Sequence, residues 1–302
     1  MLSLFDSLIK PQLLYGSEVW GAYVCRKPTI DHIRKQVFCG RFDHELVHVK
    51  FCKSVLGVRR QTCNVAVLAE LGRLPLSYTI FVSVLNFIHH ITSKNNELAQ
   101  LAMRAEFKNL QCGVSSYFDF PAVILKLIGV DLAELDLDSI NTSFVGKMKM
   151  KVRELLERAL IDELKGKSKL DLYSSLKVNF GRERYLDSVV NTNFRRAISK
   201  VRVSDHDFDI VSGRRKNIPR EKRLCSLCTS GEIGSEYHVI MECARPDLKA
   251  IRFKALEELN QINCVFREFE SKQIFIYCLL GNDTSLSHIV GAFLWKVMKL
   301  AK

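Results

Sequence analysis

The chain has 302 residues, 47% of them hydrophobic, and 45 Lys and Arg against 33 Asp and Glu give a formal charge of +12. That length and apolar content exclude a disordered tail and suffice for about two domains with real cores, while the positive excess points to anionic partners, either nucleic acid or an anionic membrane surface. No stretch reaches the roughly 18 uninterrupted apolar residues of a membrane span; the best, 80–91, is broken by Asn86, His89 and His90.

Asp6 falls where a secretory signal would carry its apolar run, so the expected compartment is cytoplasm or nucleus, with no membrane partner. Six prolines and 15 glycines punctuate the chain, and apolar residues recur mostly at three- and four-residue intervals, which predicts a mainly α fold. Between Asp31 and Leu56, the set Ile33, Val37, Leu46, Val49, Cys52, Val55 and Leu56 predicts one or two amphipathic helices, stopped by Gly57. Thr62 can cap a short helix through Leu71, ended by Gly72, and Pro75 begins a strongly apolar helix to about Ile91. Asn95 or Asn96 caps another through Met103 and Phe107. Phe120 and Pro121 open a short helix to Ile128, and 131–138 reads as a loop. A longer helix covers 143–165, its basic first half (Lys147, Lys149, Lys151, Arg153) giving way to Leu155, Leu156, Leu160, Ile161 and Leu164.

Positive charge then concentrates. Between Arg182 and Arg223 stand twelve basic residues, Arg182, Arg184, Arg195, Arg196, Lys200, Arg202, Arg214, Arg215, Lys216, Arg220, Lys222 and Arg223, against six acidic ones. That segment carries half of the excess of the chain. A solvated helix face accounts for such charges equally well in isolation; their position next to the following motif favours phosphate binding, for which the planar arginine fork is suited.

The motif is Cys225-x2-Cys228-x9-His238-x4-Cys243. Two residues between the first pair allow a tight turn with both sulfurs facing one way, four between the second allow an irregular or helical turn, and Gly231 and Gly234 let the connecting arm fold back. Four soft ligands at this spacing suit one tetrahedral Zn²⁺, and with every position taken by protein the site would be structural. The alternative is a set of unrelated buried or surface cysteines. Thiolates are the binding form. Losing three thiol protons and gaining Zn²⁺ would bring the charge only from +12 to +11. The other seven cysteines, Cys25, Cys39, Cys52, Cys63, Cys112, Cys264 and Cys278, lack paired spacing. Three helices follow, over 246–259, 268–280 and 285–300.

Read together, these motifs resemble the C-terminal, post-polymerase part of reverse transcriptases from LINE-like non-LTR retrotransposons. The residues that carry the likeness are Phe5 to Pro11 (Phe-Asp-Ser-Leu-Ile-Lys-Pro), Leu14 to Gly21 (Leu-Tyr-Gly-Ser-Glu-Val-Trp-Gly), His48 to Val58, Asn64, and Glu70 to Leu76. Phe194 to Arg196, Lys200 to Ser204, His206, Gly213 and Arg214 continue the order. Pro219, Arg223, Cys225, Cys228, Glu236 to His238, Cys243 and Arg252 complete it. Departures are Cys63 where the family often has proline, Val211 where an acid is common, and Gly234 and Ser235 where acids often precede Glu236. The resemblance implies a helical thumb-like region over 1–112, a helical linker over 113–181, the basic segment and CCHC zinc knuckle over 182–255, and C-terminal helices over 256–302.

It also implies a non-catalytic module that binds RNA or DNA, with a polymerase palm or a host protein as further partners. The Ala-Asp-Asp turn on which the family's palm holds its two metal ions is absent from the sequence, so no polymerisation by this chain alone is expected. Other classes fit less well. In Asp205-x-Asp207-x-Asp209 the glycine of a calcium loop is replaced by Ile210 and its terminal glutamate by Lys216. Pro246 and Asp247, with Glu257 and Glu258, resemble a nuclease motif but are ordinary helix-start chemistry. His89 or His90 reads as a buried, bonded histidine, and Tyr15 and Trp20 as core aromatics. No nucleophile elbow appears in the sequence. The rival class is a zinc-stabilised protein-interaction module or a decayed transposon fragment.

Overall fold

Few prolines, well-spaced glycines and apolar stripes with helical period leave little to interrupt helices, and helix accounts for 71% of the structure, about twice the usual third. A computed structural model describes residues 1–23, 43–94, 96–281 and 283–301. Among these residues β-pairing is confined to two isolated antiparallel bridges, Leu71 with Arg182 and Leu224 with Ile233. The mainly α class expected from the sequence is therefore the class observed.

The first residues form short helical turns, Leu2–Leu4, Phe5–Ile9, Lys10–Leu13 and Ser17–Trp20. Helices of six residues or more follow as α1 (Asp43–Leu56), α2 (Asn64–Glu70), α3 (Leu76–Ser93), α4 (Glu97–Gln111), α5 (Asp119–Lys126) and α6 (Thr142–Lys165). After these come α7 (Asp171–Leu176), α8 (Thr192–Arg202), α9 (Asp209–Arg215), α10 (Pro246–Ile262), α11 (Ser271–Leu280) and α12 (Thr284–Leu300). Contacts divide the chain into two compact units, one of Met1–Phe51 with Leu74–Leu160 and one of Cys52–Arg73 with Ile161–Lys302.

In the first unit α3 supplies the core, burying Leu76, Ile80, Phe81, Val84, Leu85 and Ile88 along one stripe. Its opening N–H groups need acceptors from elsewhere. Pro75 offers no side-chain cap; instead the buried Glu45 of α1 accepts from the Leu76 N–H at 2.5 Å and bonds His48 Nδ1 at 2.9 Å. Gly21 lets the N-terminal turns close on α3, since a Cβ there would lie 2.3 Å from Ile80 Cγ2. Asn96 caps α4 by accepting from Ala99 N. Asn141 caps α6 by accepting from Phe144 N, and Val145, Met148, Val152, Leu156 and Leu160 form its buried stripe.

Local differences from the sequence expectations have local causes. Cys63, not Thr62, stands at the N-cap of α2, and the buried Thr62 hydroxyl has no hydrogen-bond partner among the described residues. The stretch expected as a loop folds into two 3-10 turns, Leu132–Glu134 and Leu137–Ser139, because Asp131 and Asp136 each cap one. α11 starts at Ser271, later than expected, where Glu270 and Gln273 form a reciprocal capping box. The part of the predicted 31–56 helix before residue 43 lies outside the described residues. Tyr15 is not a core residue: it is 87% exposed, its carbonyl accepting from Trp20 Nε1.

In the second unit α8 lies close against α12, because a Cβ on Gly291 would approach Phe194 Cβ to 2.8 Å. α8 buries Ala197, Ile198 and Val201 and points Arg195, Arg196 and Lys200 away from that stripe. Its last residue, Arg202, is fully buried. The guanidinium meets Glu70 Oε1 at 2.7 Å, Glu70 Oε2 at 3.3 Å and Glu183 Oε2 at 3.0 Å, and donates to the Leu279 carbonyl. Tyr185 donates its hydroxyl to Glu70 at 2.7 Å and Lys177 pairs with Glu183. Burial lowers the Arg202 pKa, Glu70 and Glu183 raise it, and the net direction is upward. Gly72, with φ of +60°, seats the neighbouring strand-like contact, since a Cβ would lie 2.4 Å from Arg182 N.

Candidate metal centre

The connection from α9 to α10 builds a pocket of four ligands. Leu224 bridges to Ile233, Cys225 N donates to Glu232 O at 2.8 Å, and Gly234 N donates to Arg223 O at 2.9 Å. The hairpin turns at Gly231, whose φ is +71°. Asp209 at the head of α9 ties down the Cys225–Cys228 turn, accepting from Ser226 N at 2.9 Å and from Ser226 Oγ at 3.0 Å. Gly234 is required where it stands: a Cβ would come within 2.8 Å of Asp209 Cβ and 3.2 Å of Cys225 Cα. Packing thus leaves no room for a side chain at this position.

The second ligand pair sits on a π turn, His238–Glu242. Ser235 Oγ accepts from His238 N at 3.1 Å, and Cys243 N closes the turn on His238 O at 2.7 Å. A hydrogen bond spanning five residues widens the turn enough to bring two side chains five apart onto one side. Val239 and Ile240 anchor it in the core, and Arg252 of α10 clamps it, donating Nε to Ile240 O at 2.8 Å and Nη2 to Cys243 O at 2.9 Å. The buried His206 bonds Glu236 at 3.0 Å through Nε2 and accepts from Phe208 N through Nδ1.

Cys225, Cys228, His238 and Cys243 converge so that one ligand atom from each lies within 4.8 Å of the others. The sulfurs of Cys225 and Cys243 are 3.9 Å apart, and Cys228 Sγ is 3.3 Å from His238 Nε2. Cys225, His238 and Cys243 are buried and Cys228 half-buried. His238 Nδ1 is a buried nitrogen with no hydrogen bond among the described residues, 3.8 Å from the Glu242 carboxylate. Burial pushes the Cys225 thiol up to about 12, whereas hydrogen bonds from the Ser230 side chain and backbone hold Cys228 down to about 6. The pocket therefore holds a thiolate ready at neutral pH beside a thiol that a cation must deprotonate. Such a donor set could hold one metal ion, and it is the one group of its kind among the described residues.

The twelve basic residues separate by partner. Arg202 is removed from any phosphate-contact set, because it is fully buried between Glu70 and Glu183. Arg182 pairs with Asp187 at 2.5 Å, and Arg215 with Asp207 at 2.9 Å, an acid it shares with Arg59. Arg195 donates to Val189 O, Arg214 to Lys169 O, and Arg223 to Ile218 O and Ile210 O. Arg196 lays its stem over Gly57. Arg184, Lys216, Arg220 and Lys222 are exposed and Lys200 half-buried, none of the five with an ion pair among the described residues.

The supposed calcium acids diverge: Asp205 accepts from Arg59 N, Asp207 binds two arginines, and Asp209 serves the cysteine turn. Asp247 lies 3.5 Å from Arg245 at the start of α10. His89 is bonded on both nitrogens, to Ile140 O and Thr142 Oγ1. No described helix is long and apolar enough to cross a membrane. The supports Asp209 and Ser235 carry no motif of their own, and only their spacing to the ligands could have marked them, whereas Arg252 stood among the residues of the resemblance. Compared with known proteins, the chain matches no family model, no curated protein and no solved structure.

Proposed function

We propose that the chain is a zinc-stabilised nucleic-acid-binding module without catalytic activity of its own, derived from the post-polymerase region of a non-LTR retrotransposon reverse transcriptase. The observation that carries this reading is the convergence of four soft ligand atoms within 4.8 Å, directly after a segment whose basic residues outnumber its acidic ones twelve to six. Three sulfurs and an imidazole nitrogen favour Zn²⁺ among common divalent ions. Two Zn–S bonds of roughly 2.3 Å at the tetrahedral angle place sulfurs about 3.8 Å apart, against 3.9 Å between Cys225 and Cys243. Bound zinc would neutralise the thiolates and hold the hairpin to the π turn; the protein groups fill its coordination sphere, which makes the role structural. Arg184, Arg214, Lys216, Arg220 and Lys222 would then meet phosphates. The order of the motifs along the chain supports the retrotransposon origin.

The test is metal content of the purified chain followed by nucleic-acid binding across a salt series. The expected result is about one zinc per chain, lost in Cys228→Ser, with affinity that falls steeply with salt. A metal-free chain that binds no nucleic acid at low salt would sink the reading. A second reading, a module that docks a polymerase or host protein, is favoured by exposed apolar residues of the first unit: Leu4, Leu8, Tyr15, Val19 and Leu46. It predicts binding that ignores salt and is lost on changing those residues.

A further inference from the structure

One lysine outside the basic segment extends it. Lys169, exposed in the turn before α7, offers its carbonyl to Arg214 Nη1 at 3.2 Å. Arg214 is half-buried, Arg220 is exposed, and Arg223 threads its stem across Gly213, whose Cβ would meet Arg223 Cγ at 2.7 Å. Every hydrogen bond that these arginines donate among the described residues ends on a neutral carbonyl: Lys169, Ile218 or Ile210. Their mutual proximity is felt electrostatically. The Arg214 pKa is lowered first by burial and further by Arg223 and Arg220. Glu236 and Asp171 oppose the effect at Arg214 without making an ion pair with it. By contrast Asp205 and Asp207 neutralise Arg59 and Arg215, Asp187 neutralises Arg182, and Glu70 and Glu183 neutralise Arg202.

We infer that Lys169, Arg214 and Arg220, held beside Arg223, form one cationic strip leading to the cysteine hairpin, and that this strip, and not the ion-paired Arg182, Arg202 and Arg215, takes the phosphodiester backbone. The inference rests on the nucleic-acid reading and deepens it. Lys169 comes from a separate part of the chain, and Arg223 joins the strip to Cys225 two residues on. Like charges gathered without an ion-paired carboxylate are costly to leave so, and a linear polyanion relieves them together. Paired arginines offer a phosphate much less, because it must displace a carboxylate already in place.

The experiment compares the zinc-loaded chain with Lys169→Gln/Arg214→Gln/Arg220→Gln and with Arg182→Gln/Arg215→Gln, measuring affinity for a 20-nucleotide single strand and its duplex from 50 to 300 mM salt. Zinc content and circular dichroism verify that each variant is folded. The triple variant should flatten the log K against log salt slope by about 2 on a single strand and nearer 3 on duplex, from roughly 0.7 and 0.9 per phosphate contact. The double variant should change it by less than about 0.5. Equal flattening in both, or flattening only in the double variant, overturns the strip while leaving nucleic-acid binding intact; no binding by the unmodified chain overturns the underlying reading. Tighter binding to anionic phospholipid vesicles than to either nucleic acid, lost in the triple variant, overturns the choice of partner.

Discussion

Replacing Arg202 by Met tests whether the buried charge cluster holds the second unit together. The substitution keeps an unbranched apolar stem of similar reach but removes three contacts to carboxylate oxygens, at 2.7, 3.3 and 3.0 Å, and the donor to the Leu279 carbonyl. Glu183 retains Lys177 and Glu70 retains the Tyr185 hydroxyl, so neither acid is wholly abandoned. Glu70 nevertheless keeps a buried negative charge without its cation. Removing one partner of a buried pair costs about 3–5 kcal/mol, which should lower a urea midpoint by roughly 1–3 M. Unfolding would be followed in a Trp20→Phe background, so that Trp295 reports on the unit containing Arg202. Adding Glu70→Gln to Arg202→Met should recover part of the loss, because the amide still accepts from Tyr185 and carries no charge. Arg182→Met, at an exposed pair with Asp187, supplies the contrast and should cost less than about 1 kcal/mol. Loss of under about 1 kcal/mol in Arg202→Met, or a double variant as unstable as the sum of its singles, would refute the reasoning.

The metal centre supplies the remaining predictions. In the metal-free protein Cys225 titrates at about 12 and Cys228 at about 6, so metal must displace the Cys225 proton throughout the neutral range. Apparent zinc affinity, read by competition with a chromophoric chelator, should rise with pH by at least about tenfold per unit. Below pH 6 the dependence should steepen by a further tenfold per unit, because Cys228 then also arrives protonated; a pH-independent affinity would contradict this. Gly234→Ala should weaken metal binding without touching a ligand, since its methyl group would enter the 2.8 Å space beside Asp209 that holds the cysteine turn. Zinc affinity unchanged from the parent would show that the turn can shift freely.

Much of this molecule was legible in its sequence because the signals were local. The stripe from Leu76 to Ile88, the Asn96 cap and the start at Pro246 are set by residues within a turn of where they act. The ligand spacing was equally legible, since a hairpin and a π turn can each be closed by neighbouring residues. What the sequence could not show was the partner of a charge. Arg202 and Arg214 stand twelve residues apart in one basic run, and nothing in that run distinguishes them. Glu70, 132 residues before Arg202, buries the one; Lys169, 45 residues before Arg214, offers the other a neutral carbonyl. Tyr15 shows the same limit, since aromatic character favours burial but no local rule provides a neighbour to cover it.

The two clusters also divide the work between them. Counting charge along the segment treats every arginine as available to a phosphate, yet the fold assigns carboxylates to Arg182, Arg202 and Arg215. Carboxylates within reach convert a cation into a brace, while carbonyls alone hold it in place and leave its charge outstanding. Arg223 belongs to the second kind: its guanidinium binds Ile218 O and Ile210 O, and the same stretch of backbone continues into Cys225. Metal binding at the hairpin would therefore fix the direction of the cationic strip as well as the hairpin itself. On that argument, removing the metal should weaken nucleic-acid binding even though no ligand touches a phosphate.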